Sequence, residues 1–370
     1  MGEMGRAEPV NAAGAVISGR RQVVIVTSMH RSGTSACARV LNLRGLSIAS
    51  DLMSPGPDNE RGFWESRSLA DYHDRFFASV DHAHDSARSL SPGVFSTAAA
   101  ERLEHRLEKH LRSLPEDGPV LVKDPRISLV MPAWLKALDK VDLEPFVVVM
   151  VRNPLEVAAS LDRRNRFSFE RSCLLWLRYM LGAERGSRGM KRVFVSYSDF
   201  LDDWRAQTAR VIEGGGLAVS GLNQQMEEEC DAFLTRSLQH HREDDESIHE
   251  DARVIPWVAT VYDALRRATR DDLDGLEEVL DQVERDLAAS GNILEAQVAR
   301  VDSRIFDFVN KEKVLQDEVL SLREQLGQQE QVSLRAEQEA KSLRDMIAAS
   351  EEGRGGPGAS GERDPVAFSA

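Results

Sequence analysis

The sequence predicts an α/β fold, a parallel sheet covered by helices on both faces, followed by a long α-helical coiled coil. Three observations carry this. Short apolar, mostly β-branched runs at Val23–Val26, Val120–Val122, Phe146–Val151 and Val193–Ser196 alternate with segments of helical period. Continuous apolar runs of strand length are buried on both sides, as parallel strands are. Each of the first three runs stops at polar or cationic residues, where ligands of such sheets bind. Beyond Asp271 glycine and proline nearly vanish and apolar residues recur at alternating steps of four and three, the mark of a coiled coil.

Taken in order, residues 1–20 contain Gly, Ala and Arg without an apolar core of signal-peptide length and read as a disordered leader. The first strand leads into Ser28–Gly33, small and polar enough to turn tightly. A helix follows from Thr34 with Ala36, Val40 and Leu43 on one face. A short strand is expected at Leu46–Ala49, and then a loop over Asp51–Gly62, rich in Pro, Gly, Asp and Asn. The loop closes on Phe63-Trp64-Glu65 before a helix over Ser68–Val80. Residues 81–96 look irregular, and 97–114 form an amphipathic helix. Helices are expected over Ile127–Leu138, from Pro154, over Phe169–Arg185 and over Asp199–Ile212. Leu294, Val298, Val301, Ile305, Phe308, Leu315, Val319, Leu322, Leu326, Leu343 and Ile347 mark the heptad seam, with Glu312, Gln329, Ser333, Ala336 and Ala340 as its weaker positions. The resulting division is a leader (1–20), an α/β domain (21–262), a helical and coiled-coil region (263–350) and a disordered tail (351–370).

The chain of 370 residues carries a net charge of −14, which argues against general nucleic-acid binding. Cys37, Cys173 and Cys230 are too few and too scattered for a disulfide framework or a zinc site. No apolar run reaches membrane-spanning length. A cytoplasmic protein is expected, paired with a second copy or a partner protein through the coiled coil.

A strand, a tight loop and a helix start aim backbone N–H groups and the positive end of a helix dipole at one point, where an anion binds. The loop Thr27-Ser28-Met29-His30-Arg31-Ser32-Gly33-Thr34-Ser35 is not a Walker A motif. Thr34 stands where that motif has its lysine, no early glycine is present, and the cation is Arg31. The stretch resembles the 5′-phosphosulfate loop of the PAPS-dependent sulfotransferases, a P-loop variant with Lys or Arg before S-G-T-[ST]. Downstream, Arg152-Asn153-Pro154-Leu155-Glu156-Val157-Ala158-Ala159-Ser160 resembles the same family's 3′-phosphate motif. An arginine at a strand end and a hydroxyl two turns into the next helix can hold one phosphate from two sides. Tyr197-Ser198-Asp199-Phe200-Leu201 is similar to a segment of bacterial members, and Leu238–Arg242 to the late basic segment. The resemblance spans roughly residues 22–242.

The resemblance implies a P-loop-like three-layer αβα domain that transfers a sulfonate group from PAPS to an acceptor hydroxyl. PAP would be the product, and no metal is required. It implies Arg31, Ser32, Gly33, Thr34 and Ser35 on the phosphosulfate, and Arg152 and Ser160 on the 3′-phosphate. Arg31 and Lys123 would stabilise developing charge. Glu65 has the sequence order of the glutamate base in heparan-type enzymes, and Phe63 and Trp64 would give it an apolar surround. His73 and Asp124 compete for the role of base, whereas His30 is expected to shape the loop. The acceptor is a small molecule or a glycan. Two other readings remain: a non-catalytic nucleotide-fold head on a coiled-coil scaffold, and a P-loop kinase.

Overall fold

The structure, a computed structural model, describes residues 20–56, 59, 61–219, 221–234 and 243–352. The expected leader through residue 19, the tail from residue 353 and the basic segment Leu238–Arg242 lie outside the described residues. The elements are β1 (Arg21–Thr27), α1 (Thr34–Leu43), β2 (Ser47–Ile48), α2 (Arg67–Ser79), α3 (Ala98–Arg112), β3 (Val120–Lys123), α4 (Ile127–Leu138) and β4 (Leu143–Val151). They continue as α5 (Pro154–Asn165), α6 (Phe169–Ser187), β5 (Lys191–Ser196), α7 (Tyr197–Asp202), α8 (Trp204–Gly215), α9 (Gln224–Phe233), α10 (Ser247–Glu250), α11 (Pro256–Ala268) and α12 (Leu276–Glu352).

Five strands form one parallel sheet in the order β2-β3-β1-β4-β5. The apolar runs are buried because their side chains alternate between two cores. Val23 and Ile25 of β1, with Val147, Val149 and Val151 of β4, join helices α2 to α6 and α11 on one face. Val24 and Val26, with Phe146, Val148 and Met150, join α1, α8 and α9 on the other. This is the expected three-layer arrangement. β4 starts at Leu143, earlier than its apolar run. Pro145 falls where β4 has one registered neighbour, since β1 pairs with it there and β5 pairs with β4 only from Phe146 onward, an edge position of the kind in which proline is tolerated.

The helix expected over Asp199–Ile212 is two helices. The break falls at Asp203, with φ −144°, whose carboxylate accepts from Ala206 N at 3.0 Å and caps α8. An aspartate in an extended conformation is a strong N-cap, and this local bond wins over the helical period of the flanking residues.

The connection after β1 leaves through α1 on one face, and the connection after β4 leaves through α5 on the other. A crevice opens between the carboxyl ends of two neighbouring strands whose crossovers diverge in this way. The sequence places Arg31 and Arg152 at those two ends.

The first compact unit runs to Ile305, and a second begins at Phe306. The α/β unit therefore continues past residue 262. α11 buries Val258, Val261, Tyr262 and Leu265, and the start of α12 buries Leu276, Leu280 and Val283 in the same core. In the second unit α12 exposes Phe308, Leu315, Leu322, Leu326, Leu343 and Ile347. No helix of the described residues is long and apolar enough to cross a membrane.

Helix α6 crosses α4 at a glycine. A Cβ on Gly182 would stand 2.3 Å from the Ser128 carbonyl oxygen. Gly→Ala inside a helix normally gains about 1 kcal/mol, whereas forced overpacking costs about 1–3 kcal/mol. Gly182→Ala is expected to show a net loss of stability in chemical denaturation, because a backbone oxygen cannot step aside.

Candidate active site

The loop after β1 is pinned on both sides. Thr27 Oγ1 and Ser128 Oγ lie 2.8 Å apart, and Ser28 Oγ donates to the Met150 carbonyl at 2.5 Å. The chain then turns through two left-handed residues, Arg31 with φ 69° and Gly33 with φ 87°. Glycine adopts that region freely, and at position 33 it is also needed for space: a Cβ would stand 2.1 Å from the Tyr197 ring. Arginine does not adopt it freely, and its carbonyl is held by Arg152 Nη1 at 2.7 Å. α1 starts directly after Gly33, with no side-chain cap. The N–H groups of Thr34, Ser35 and Ala36 have no acceptor among the described residues. Unsatisfied donors at a helix start are an anion site in waiting.

Arg31 and Arg152, expected at opposite ends of one ligand, belong to one cluster. Arg31 Nε donates to Ser160 Oγ at 2.8 Å. Arg152 Nε pairs with Glu156 at 2.7 Å, and its guanidinium lies over the Tyr197 ring, 4.6 Å from the centroid. Pro154 starts α5 and Asn153 caps it by accepting from Leu155 N at 2.9 Å. The RNP triplet thus fixes the helix that carries Ser160.

At the end of β3, Lys123 is saturated. Nζ donates to Glu65 Oε1 at 2.5 Å, to the Phe63 carbonyl at 3.0 Å and to Ser35 Oγ at 3.2 Å. Arg126 Nη1 reaches the other Glu65 oxygen at 3.3 Å. Arg126 also pairs with Asp124 at 3.2 Å and with Asp74 at 3.0 Å. The surround of Glu65 is therefore ionic, not the apolar one expected from Phe63 and Trp64. Trp64 instead takes the Arg39 guanidinium over its ring at 4.7 Å and donates Nε1 to the Arg61 carbonyl.

Asp124 and His73 are fully buried and bonded to each other, Oδ2 to Nδ1, at 2.9 Å. Trp134 donates Nε1 to His73 Nε2 at 3.0 Å. Indole is only a donor, so Nε2 accepts and the ring proton sits on Nδ1, directed at Asp124. Burial works against ionisation of Asp124, but Arg126 and His73 outweigh it and hold the carboxyl well below the usual carboxylate range. Burial likewise disfavours the Arg126 cation, and Asp124, Glu65 and Asp74 more than reverse that, raising it above its ordinary value.

Arg31, Arg61, Lys123, Arg152 and Arg164 line one cleft of about 710 Å³, counting space open to solvent. Glu65 is the one carboxylate among its described lining residues, whereas His73 and Asp124 do not line it. Gly33, Thr34 and Ser35 line it as well; Ser32 and Ser160 do not, although Ser160 holds Arg31. His30 lines the cleft with its Nε2 sealed from solvent and without a partner among the described residues. Burial, reinforced by His84, Arg126 and Arg164, holds its imidazole well below the ordinary histidine value.

Solved structures that this chain resembles are sulfotransferases. The sulfotransferase domain of the Synechococcus PCC 7002 olefin synthase is 16% identical, with 72% of this chain and 94% of that one covered at a TM-score of 0.36. The sulfotransferase domain of the curacin biosynthetic pathway is 13% identical, with 73% and 99% covered at 0.36. A mouse sulfotransferase complexed with PAP is 12% identical, with 71% and 89% covered at 0.33. Superpositions this loose carry no functional weight. No protein-family model matches the chain, and no curated protein does.

Sequence reasoning missed Arg61, Arg126 and Arg164 as site residues. Arg126 had a local signal: it lies two residues after Asp124, whose carboxylate accepts from its N–H at 2.9 Å and fixes the turn. Arg61 sits in a Pro/Gly-rich loop and Arg164 near the end of α5, and neither position carries a pattern that marks it.

Removing one partner of a buried ion pair costs about 3–5 kcal/mol. Asp124→Asn is expected to lose that much in chemical denaturation at neutral pH. The wild-type carboxyl is depressed when folded, so its stabilisation is complete above about pH 4, near the unfolded value. It is lost as pH falls through the lowered native value. The stability of Asp124→Asn should therefore fall less steeply with acidification below about pH 4 than that of the wild type.

Proposed function

We propose that the chain is a PAPS-dependent sulfotransferase that moves a sulfonate group to an acceptor hydroxyl. The observation that carries this reading is the convergence of Arg31, Lys123 and Arg152, from three strand ends, on one cleft beside an uncapped helix start. The residues present fit a ligand with anionic groups at two ends. The free N–H groups of Thr34 to Ala36 suit the phosphosulfate. Arg152 and the Arg31–Ser160 pair suit the 3′-phosphate.

In the proposed reaction the acceptor oxygen attacks sulfur in line. The S–O bond to the phosphate breaks, the electron pair stays on the bridging oxygen, PAP leaves and the acceptor proton passes to a base. Lys123 is already aimed at the cleft. Two of its three acceptors, Phe63 O and Ser35 Oγ, are neutral. An anionic oxygen competes with them on charge, since hydrogen bonds between ionised partners are roughly twice as strong as neutral ones. Donor binding can thus replace those two contacts while Glu65 keeps the third. Glu65 is assigned as base because it is the carboxylate among the described residues that reaches the cleft, with Lys123 and Arg126 fixing its orientation. One observation favours a second assignment, His30: it lines the cleft, and its buried Nε2 has no hydrogen-bond partner among the described residues.

A carbohydrate acceptor is an extension by analogy alone. The kinase reading is disfavoured by Thr34, which occupies the place of the lysine that bridges transferring phosphates. The scaffold reading is disfavoured by the intact Arg152 clamp.

Binding to the native state raises stability. PAP should raise the melting temperature clearly, and ATP with Mg²⁺ should not. No shift with PAP would favour the scaffold reading. Ser160→Ala and Arg152→Lys should each weaken the PAP shift while the unliganded protein still melts cooperatively. With an acceptor found by mass spectrometry using labelled PAPS, Glu65→Gln should retain the PAP shift and lose about 100-fold or more in turnover, the order of a lost general base. If Glu65→Gln turns over normally and His30→Gln does not, the base is His30.

A further inference from the structure

From Phe308 to Ile347, α12 turns a row of large apolar side chains to solvent. Phe308 is 70% exposed, Leu315 and Leu343 59%, and Leu322 and Leu326 56%. Val319 and Ile347 lie on the same row, whose steps of four and three also pass through Glu312, Gln329, Ser333, Ala336 and Ala340, so it is one stripe of heptad period with large apolar residues toward its two ends. A single chain leaves this stripe in water. We propose that it is covered by the same stripe of a second copy, in a parallel, in-register, two-stranded coiled coil.

The order of the stripe argues for two parallel strands. With Phe308 at a d position, Glu312, Val319, Leu326, Ser333, Ala340 and Ile347 fall at a, and Leu315, Leu322, Gln329, Ala336 and Leu343 at d. Val319 and Ile347 place β-branched residues at a, and Leu315, Leu322 and Leu343 place leucine at d, the combination that favours parallel dimers over trimers and tetramers.

The flanking charges argue for the chain's own copy. In a parallel in-register pair, each g residue faces the partner's e residue five positions on. Glu318 then faces Arg323 of the second copy, and Glu339 faces Arg344, so both charged pairs are opposite. Lys311 faces Gln316, Gln325 faces Glu330, and Val332 faces Glu337, so none of these three pairs is like-charged. Both halves of each attraction are carried on one chain, as a self-complementary surface requires. The geometry does place three polar residues against their own copies, Glu312 and Ser333 at a and Gln329 at d, and Glu312 is the one like-charged contact among them. A polar residue at a costs stability and specifies register.

The test uses the full chain. Sedimentation equilibrium should give twice the monomer mass; a monomer, or a trimer or tetramer, would overturn the proposal. Leu322→Cys and Leu343→Cys, made separately, test orientation. The native cysteines are buried, and burial pushes the Cys37 and Cys173 thiols up to about 12 and the Cys230 thiol up to about 11, so the introduced thiols should react first. Both variants should form disulfide-linked dimers under mild oxidation. In an antiparallel pair only one position can face itself, so a crosslink at one site or neither would overturn the parallel register. Glu312→Ile should tighten the dimer. Glu318→Arg should weaken it, and adding Arg323→Glu should restore it; failure of that rescue would overturn the proposed pairing.

Discussion

A buried chain of alternating charges, Lys123–Glu65–Arg126–Asp124, holds the cleft in shape. Each of these residues is less than 10% exposed. Taking such ions out of water costs several kcal/mol apiece, and only good geometry with every partner present offsets it. Every member has at least one opposite charge within 3.3 Å. The chain of charges joins the end of β3 to the residues just before α2, and Lys123 reaches across to Ser35 in the first turn of α1. Three separate pieces of backbone are thereby fixed around one opening. Cations that are already desolvated and oriented need no rearrangement of water when an anion arrives, which is what makes a preorganised site effective.

The second constraint is the strained Arg31. A non-glycine residue in the left-handed region costs about 1–2 kcal/mol. It persists because Arg152 grips its carbonyl and Ser160 accepts from its side chain. Strain retained at the end of a central strand, next to an uncapped helix, follows the usual location of function rather than of packing. The same contacts couple the two halves of the crevice. Arg152 holds the carbonyl of the loop that presents the N–H groups of α1 and also pairs with the buried Glu156, so its loss would disturb both sides of the crevice.

Much of the fold was legible in the sequence because the parallel sheet leaves a strong local mark. Val23–Val26 and Phe146–Val151 are apolar at every position, and only burial on two faces produces that. The loop after β1 was legible for a similar reason: Ser-Gly-Thr at a strand end has little use in packing. Other features depend on distant parts of the chain. The break at Asp203 turns on one hydrogen bond that competes with helical period. Glu65 could be ranked by its order in the chain, but its ionic surround could not be read, because Arg126 lies 61 residues away. His73 and Asp124 were plausible bases as residue types. Only the fold reveals that they satisfy each other behind the cleft. The aromatic pair at Phe63 and Trp64 misled for the same reason, since adjacency in sequence does not decide which side chain packs on which.

The acidic character of the whole protein and the basic lining of its cleft are compatible because they act over different distances. At physiological ionic strength the Debye length is about 8 Å. An anion approaching the surface feels the net charge of −14 only as a screened background. Inside the cleft the described lining residues include five cations and one carboxylate, all within a few ångströms of any anion that enters. Coulomb terms at that range exceed the screened repulsion from the rest of the surface. Under the proposed function, this favours ligands that carry several negative charges at the spacing of the strand ends. A ligand anionic at both ends would then engage Lys123 and Arg152 together, each already held by a buried glutamate, whereas a singly charged anion would engage only one of them.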